Sequence, residues 1–205
     1  MYSPFNIGTR FRIVPPGTPA SAEGRIDLVI GKGAFGSGEH ETTASCIEAL
    51  ETLPDVRGAR VLDLGSGTGI LAIAALKLGA ASAVCIDIDP KAVETARRNF
   101  ELNSLADRAE KFTGVLSSIP SADFDLVLAN IYGDLLLDLG KDLAARARPG
   151  AVLLLSGILW EYNYDVRNYF EKLGCTVVKN RMLEQFSTVL LRKKGYPENR
   201  VDLGF

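Results

Sequence analysis

The sequence predicts an α/β fold: a doubly wound, mostly parallel sheet with an antiparallel last strand and a small N-terminal β appendage. The first observation is a regular alternation, from near residue 60 onward, of short β-rich runs with longer helical ones. The second is a glycine-rich turn, "GSGTG" at 65 to 69, set between the first of those strands and a helix. The third is the ending, where "CTVVKNRM" and "FSTVLLRK" are both strand-like but lie too close together for a crossover helix, and so must form an antiparallel hairpin. With 205 residues, 47% of them hydrophobic, the chain can bury one substantial core but hardly two.

Taken in order, "RFRIV" and "RIDLVI" form a small β appendage around the loop "PPGTPASAEG". Next comes "GKGAFGSGEHETT", Gly31 to Thr43, with glycine at 31, 33, 36 and 38 and the only histidine of the chain, His40. Residues 1–42 are expected to hold this appendage and loop, and 43–205 the main globular unit. "RVLDLG" reads as a buried strand, and "TGILAIAALKLG" as a helix apolar on most of its circumference that stops at Gly79. "SAVCIDI" is the next strand; after it Asp89 caps a helix that begins at Pro90 and puts Val93, Ala96 and Phe100 on one face. "EKFTGV", "FDLVLANI" and "AVLLLSG" are three further strands, with helical segments at about 133 to 147 and 160 to 173 after the last two.

The net charge of −2 and pI near 5.5 give no broad electrostatic footprint for nucleic acid, and the basic "RKKGYPENR" is too short to change that. Cys46, Cys85 and Cys175 are odd in number and far apart, which suggests neither disulfides nor a zinc site and fits a reducing compartment. "MYSPFNIGTR" lacks the features of a signal peptide, and the longest apolar stretch, "AVLLLSGILW", is too short to cross a bilayer. A cytoplasmic location without a membrane partner is expected.

Ligands of open parallel sheets bind beyond the carboxyl ends of the strands, where strand order reverses. Those ends carry Gly65, Gly67 and Gly69, then Asp87 and Asp89, then Ser117 and Ser118, then "NIYGD" from Asn130. The glycines let the backbone approach a ligand without Cβ clashes, and the following helix start offers unpaired amides. Asp87 stands 22 residues after Gly65, where a carboxylate can accept from two ribose hydroxyls. A dinucleotide fingerprint GxGxxG would need glycine at position 70; Ile70 stands there, so the pattern is GxGxG and a nicotinamide-dependent oxidoreductase is disfavoured. Asp63, within "LDLG", either orients the glycine turn or reaches a cofactor amino group. Asn130 ends an apolar strand, and its amide oxygen can accept from a nitrogen donor. His40 is an acid or base, a cofactor contact or a loop-ordering hydrogen bond; with only Glu39 and Glu41 as companions, a metal site is not expected.

The GxGxG spacing with an antiparallel last strand resembles the class I methyltransferases, Rossmann-like enzymes that use S-adenosylmethionine. The set "AFGSGEHETT", "VLDLGSGTGILAIAALKLGA", "IDIDPKAVETARRN" and "ANIYGDLLLDL" resembles the PrmA family, the lysine methyltransferases of ribosomal protein L11, over most of residues 4 to 192. The likeness is to the catalytic domain, without the N-terminal module that grips the ribosomal protein. It implies that the glycine-rich loop, Phe35 included, folds over S-adenosylmethionine; that Thr43, opening the next helix, contacts its methionine end; that Gly65 and Gly67 line it; that Asp87 holds the ribose; and that Asn130 sits beside the methyl group and the incoming amine. Asn130-Ile131-Tyr132 lacks the prolines of the Asn-Pro-Pro-Tyr signature of other amine methyltransferases, as the PrmA motif does. A protein substrate, ribosomal in origin, is the implied partner. Methyl transfer to another protein, such as the electron-transfer flavoprotein β subunit, to RNA or to a small molecule is the alternative, and cofactor binding without catalysis is a further one.

Overall fold

The computed structural model describes residues 2–31, 38–119 and 122–195. Three short strands come first: β1 (Phe5–Ile7), β2 (Phe11–Val14) and β3 (Ile26–Val29), with β1 antiparallel and β3 parallel to β2. Helix α1 (Glu41–Thr52) then leads into the main alternation of β4 (Arg60–Leu64), α2 (Ile70–Lys77), β5 (Ser82–Asp87), α3 (Pro90–Leu102) and β6 (Ala109–Thr113). The second half comprises β7 (Phe124–Asn130), α4 (Gly133–Arg146), β8 (Ala147–Leu159), α5 (Trp160–Lys172), β9 (Cys175–Met182) and β10 (Phe186–Lys193). The seven-stranded sheet has the order β6-β5-β4-β7-β8-β10-β9, and only β10 runs against the others. The chain moves outward from β4 on one side and from β7 on the other, so order reverses between β4 and β7. That pair of strand ends is where a ligand of such a sheet binds.

Period-2 alternation sorts the strands' side chains onto two faces. Val61, Leu126, Leu128, Val152 and Leu154 pack in one core with side chains from α1, α2 and α3, while Leu62, Val127, Ala129, Leu153 and Leu155 pack in the other with side chains from α4 and α5. Helix α2 can be apolar all round because it is buried from Ile70 to Leu76, and it ends where Gly79 takes φ 106°. Helix α3 starts as its residues dictate: Pro90 has no amide to satisfy, and Asp89 accepts the Lys91 N–H at 2.9 Å. Its buried face carries Val93, Ala96 and Phe100.

The small sheet joins the first core, where Ile7, Phe11, Ile13, Leu28 and Ile30 pack with Ile47, Leu50 and Ile70. Two features exceed the sequence expectation. Strand β1 precedes the expected pair, and β8 is 13 residues long, beginning ahead of "AVLLLSG" and running past it to Leu159. Among the described residues no helix is long and apolar enough to cross a membrane.

Candidate active site

The glycine turn is built by backbone geometry. Gly65, Gly67 and Gly69 have φ of 66°, 53° and 77°, a region L-residues avoid. The Gly65 and Ser66 amides both donate to the Ile86 carbonyl, at 2.9 and 3.1 Å, which folds the turn back onto the end of β5. A Cβ on Gly65 would lie 2.5 Å from Cγ2 of Ile131, so this glycine is required by packing against β7 as well as by its φ. Asp87 completes the structure: Oδ2 accepts the Gly67 N–H at 2.9 Å, and Oδ1 accepts the Asp89 N–H at 3.0 Å. Each carboxylate oxygen keeps lone-pair capacity, enough for two vicinal hydroxyls.

Just beyond Asp87 and β6, Ile88 and Val115 are exposed apolar side chains, 76% and 53% accessible. Within the turn, the Ser66 hydroxyl is buried without a hydrogen-bond partner among the described residues. A pair of hydroxyl acceptors, apolar side chains nearby and a cradle that a Cβ would fill together suit a nucleoside-bearing cofactor.

Asp63 sits deeper. It is 1% exposed, and its Oδ2 accepts the Ala72 N–H of α2 at 3.2 Å. Burial pushes its carboxyl up to about 7, the Ala72 amide opposing and the negative charge of Asp87 adding to the shift. Its one hydrogen-bond partner named here is thus the helix that follows the turn.

On the other side of the reversal point, Asn130 Nδ2 donates to the Thr43 hydroxyl at 3.2 Å. Thr43 is in the first turn of α1 and 3% exposed. The Asn130 Oδ1 has no donor among the described residues. The backbone beyond it is fixed by the Ile131 N–H, which donates to the Ser156 carbonyl at 3.1 Å, and by the Ser156 and Thr188 hydroxyls, 2.7 Å apart. Gly157, at φ 78°, leaves the room this needs: a Cβ there would lie 2.6 Å from the Ile131 carbonyl oxygen and 3.2 Å from Asn130 Oδ1.

His40 proves to be the N-cap of α1. Its Nδ1 accepts the Thr42 N–H at 3.4 Å and lies 2.8 Å from the Thr42 hydroxyl, while its ring meets Phe186 edge-on at 5.2 Å. Glu41 reaches the hairpin turn, accepting the Glu184 and Gln185 amides at 2.8 and 3.2 Å. Phe35 lies outside the described residues. The structure therefore gathers two groups of expected residues, Gly65, Gly67 and Asp87 in one and Thr43 and Asn130 in the other, linked where Ile131 packs over Gly65.

Two asparagines escaped the sequence reading. Asn99 donates to the Thr68 carbonyl at 2.9 Å and accepts the Gly31 N–H at 2.9 Å, bridging the glycine turn to the segment after β3. Asn103, one helical turn on, makes a paired contact with Val29, accepting its N–H at 3.0 Å and donating to its carbonyl at 2.8 Å. The signal available was two asparagines four apart on the side of α3 that the apolar period marks as buried.

A groove of about 250 Å³ lined by Ser45, Glu48, Lys179, Arg181 and their neighbours contains none of the strand-end groups, so here chemistry locates the site and concavity does not. Among the described residues there is no cluster of histidine, cysteine, aspartate or glutamate able to hold a metal.

Comparison with known proteins shows the family of the chain. The profile of the family described as ribosomal protein L11 methyltransferase (PrmA) matches residues 1–194. A protein named ribosomal protein L11 methyltransferase from Pelobacter propionicus is 44% identical over 178 residues, covering 82% of this chain and 56% of its own length. One of the same name from Geobacter metallireducens is 42% identical over 191 residues, covering 92% of this chain and 62% of its own length. The chain thus spans less than two thirds of the length of these relatives. A crystal structure of a ribosomal protein L11 methylase from Lactobacillus delbrueckii subsp. bulgaricus superposes with a TM-score of 0.85 at 27% identity, over 95% of this chain and 100% of that one. The fold is that of the class I methyltransferases, and the chain belongs to the ribosomal protein L11 methyltransferase (PrmA) family.

Proposed function

We propose that the chain is an S-adenosylmethionine-dependent protein N-methyltransferase whose acceptor is a lysine side chain or an α-amino group of a large-subunit ribosomal protein of the L11 type. One observation carries this reading. The Asn130 carboxamide has its nitrogen committed to Thr43 and its oxygen without a donor among the described residues, at the point of strand reversal and beside a glycine turn suited to a nucleoside.

Asp87 would hold the ribose hydroxyls, the Gly65 to Gly67 backbone would lie against the cofactor, and Thr43 would flank its amino-acid end. When bound, S-adenosylmethionine supplies an electrophilic methyl group on a sulfonium. The task left to the chain is to hold a neutral amine in line with it. An unperturbed lysine near pKa 10.4 costs about 4 to 5 kcal/mol to deprotonate at pH 7, and burial beside a positive centre reduces that cost. Asn130 Oδ1 accepts from the amine and fixes the direction of its lone pair; alignment of this kind supplies much of the acceleration, so no dedicated base is required. The arrangement is consistent with that: His40 caps α1, and Asp63 is turned into the α2 contact.

The test is incubation of the purified chain with methyl-labelled S-adenosylmethionine and, separately, ribosomal protein L11 and a whole-cell extract with its RNA and small molecules, followed by mass spectrometric identification of the product. Label on lysine or α-amine nitrogen of L11 supports the reading. Label on RNA alone, or on a small molecule alone, overturns it.

A further inference from the structure

Two aromatic side chains stand out in the open at the starts of the helices that follow β7 and β8. Tyr132, the N-cap of α4, is 63% exposed, and Trp160, the first residue of α5, is 53% exposed. The two helix starts are neighbours, since a Cβ on Gly133 would lie 2.7 Å from Cβ of Tyr162. Trp160 is exposed but not loose. Its indole N–H donates to the Phe186 carbonyl at 3.0 Å and its backbone N–H to the Gln185 carbonyl at 3.2 Å. A large ring held in place with its polar atom satisfied is a pre-organised contact surface, at low entropic cost to any partner.

The charged residues that flank these rings in sequence are acidic. Asp134 lies in the first turn of α4, Glu161 in the first turn of α5, and Glu184 in the hairpin turn next to Gln185. None of the three has an ion-pair partner among the described residues, whereas Glu41 close by is satisfied by two hairpin amides. An acidic rim around exposed rings is complementary to a cationic chain whose aliphatic stems can lie on the ring faces.

We propose that Trp160, with Tyr132, is a specificity-determining surface for the acceptor: it docks a basic, extended polypeptide segment, so that a lysine or amino terminus flanked by lysine or arginine enters at Asn130. The inference rests on the protein-acceptor reading given above. Trp160 packs the segment, and Asp134, Glu161 and Glu184 select its charge. The geometry also accounts for the position of the hairpin turn, which presents its two carbonyls to Trp160 on one side and its two amides to Glu41 on the other.

Trp160 is the only tryptophan of the chain, so its fluorescence reports docking directly. The experiment uses synthetic peptides with one central lysine flanked by arginines, by glutamines or by glutamates. Each is titrated in the presence of S-adenosylhomocysteine for emission and with S-adenosylmethionine for turnover. The arginine-flanked peptide should shift the emission saturably, and its affinity should fall as salt is raised. Trp160→Ala should raise its KM roughly tenfold or more with kcat and cofactor affinity retained, and Trp160→Phe should recover most of the loss. The double variant Glu161→Gln with Glu184→Gln, at exposed positions, should bring the arginine-flanked and glutamine-flanked peptides to equal KM. A peptide that is methylated while the emission stays silent, or equal KM for all three peptides in the wild type, overturns the docking surface and leaves the protein-acceptor reading standing. Methyl transfer to none of the peptides and to no protein, by a chain that binds S-adenosylmethionine, overturns that reading and this inference with it.

Discussion

The Asn130 carboxamide and the Thr43 hydroxyl, 87 positions apart in sequence, meet at 3.2 Å and tie the end of β7 to the first turn of α1. The bond engages the Asn130 nitrogen and leaves its oxygen without a donor among the described residues.

Asn130→Ala is therefore expected to slow methyl transfer by about a hundredfold or more while leaving S-adenosylmethionine affinity within a few fold, because alignment is lost and cofactor contacts are not. Thr43→Val should share part of the kinetic defect, and the double variant should be no worse than Asn130→Ala alone. Steady-state kinetics with calorimetry of cofactor binding separates the two quantities; additive defects would place Thr43 outside this unit.

Asp87→Ala should act on the cofactor instead. Loss of each charge-assisted hydrogen bond to a ribose hydroxyl costs about 1.5 to 3 kcal/mol of binding, and the Gly67 amide also loses its acceptor. Unchanged affinity by calorimetry in a folded variant removes Asp87 from the site.

Gly157→Ala offers a test with an internal control. Its Cβ would press on the Ile131 carbonyl and on Asn130 Oδ1, whereas Gly174, with almost the same φ of 81°, has nothing within 4 Å of its Cβ position. Both alanine variants should lose about 1 to 2 kcal/mol of stability to the left-handed backbone, and Gly157→Ala should lose more because its Cβ also meets backbone. Only Gly157→Ala should also lose turnover, and equal turnover in both would show that Gly157 does not set the position of Asn130.

Asp63 gives a pH dependence of stability. Its native carboxyl holds a proton up to about pH 7, while an unfolded aspartate releases it near 3.9. Its contribution to stability is thus fully present below about pH 4, declines as pH rises through the window to 7, and is lost above that. Asp63→Asn imitates the protonated form and keeps an acceptor for the Ala72 N–H, so its stability relative to the wild type should improve across that window by up to about 4 kcal/mol. Denaturant melts of both proteins at several pH values measure the difference; a flat difference would falsify the raised pKa.

Much of this was legible because it is written in local patterns. "CTVVKNRM" and "FSTVLLRK" coincide residue for residue with β9 and β10, since alternation and a short gap leave a hairpin no other choice. The glycine turn was legible because positive φ demands glycine. Strand β1 was not, because three residues carry no measurable period. Asn99 and Asn103 were visible as buried polar residues at most: their partners, Gly31 and Val29, lie 68 and 74 positions away, and no local rule spans that distance. The sequence alone does not separate three roles for His40, because a cap, a base and a ligand contact all use the same residue type in a loop, and only the bond to Thr42 distinguishes the first.

The sheet order has a consequence in time. Strand β10 lies between β8 and β9, yet a ribosome makes it after both. While β9 is emerging, its only neighbour in the finished sheet does not exist and the edge of β8 stands open, so neither can settle until Phe186–Lys193 slides between them. Glu41 likewise receives the Glu184 and Gln185 amides only as that insertion brings the hairpin turn home. The glycine cradle can therefore mature early in biosynthesis, but α1, which carries Thr43, is braced against the hairpin last. A chain halted before Phe186 would thus already contain Gly65, Gly67 and Asp87, while α1 would still lack the seated hairpin that Glu41 grips in the finished fold.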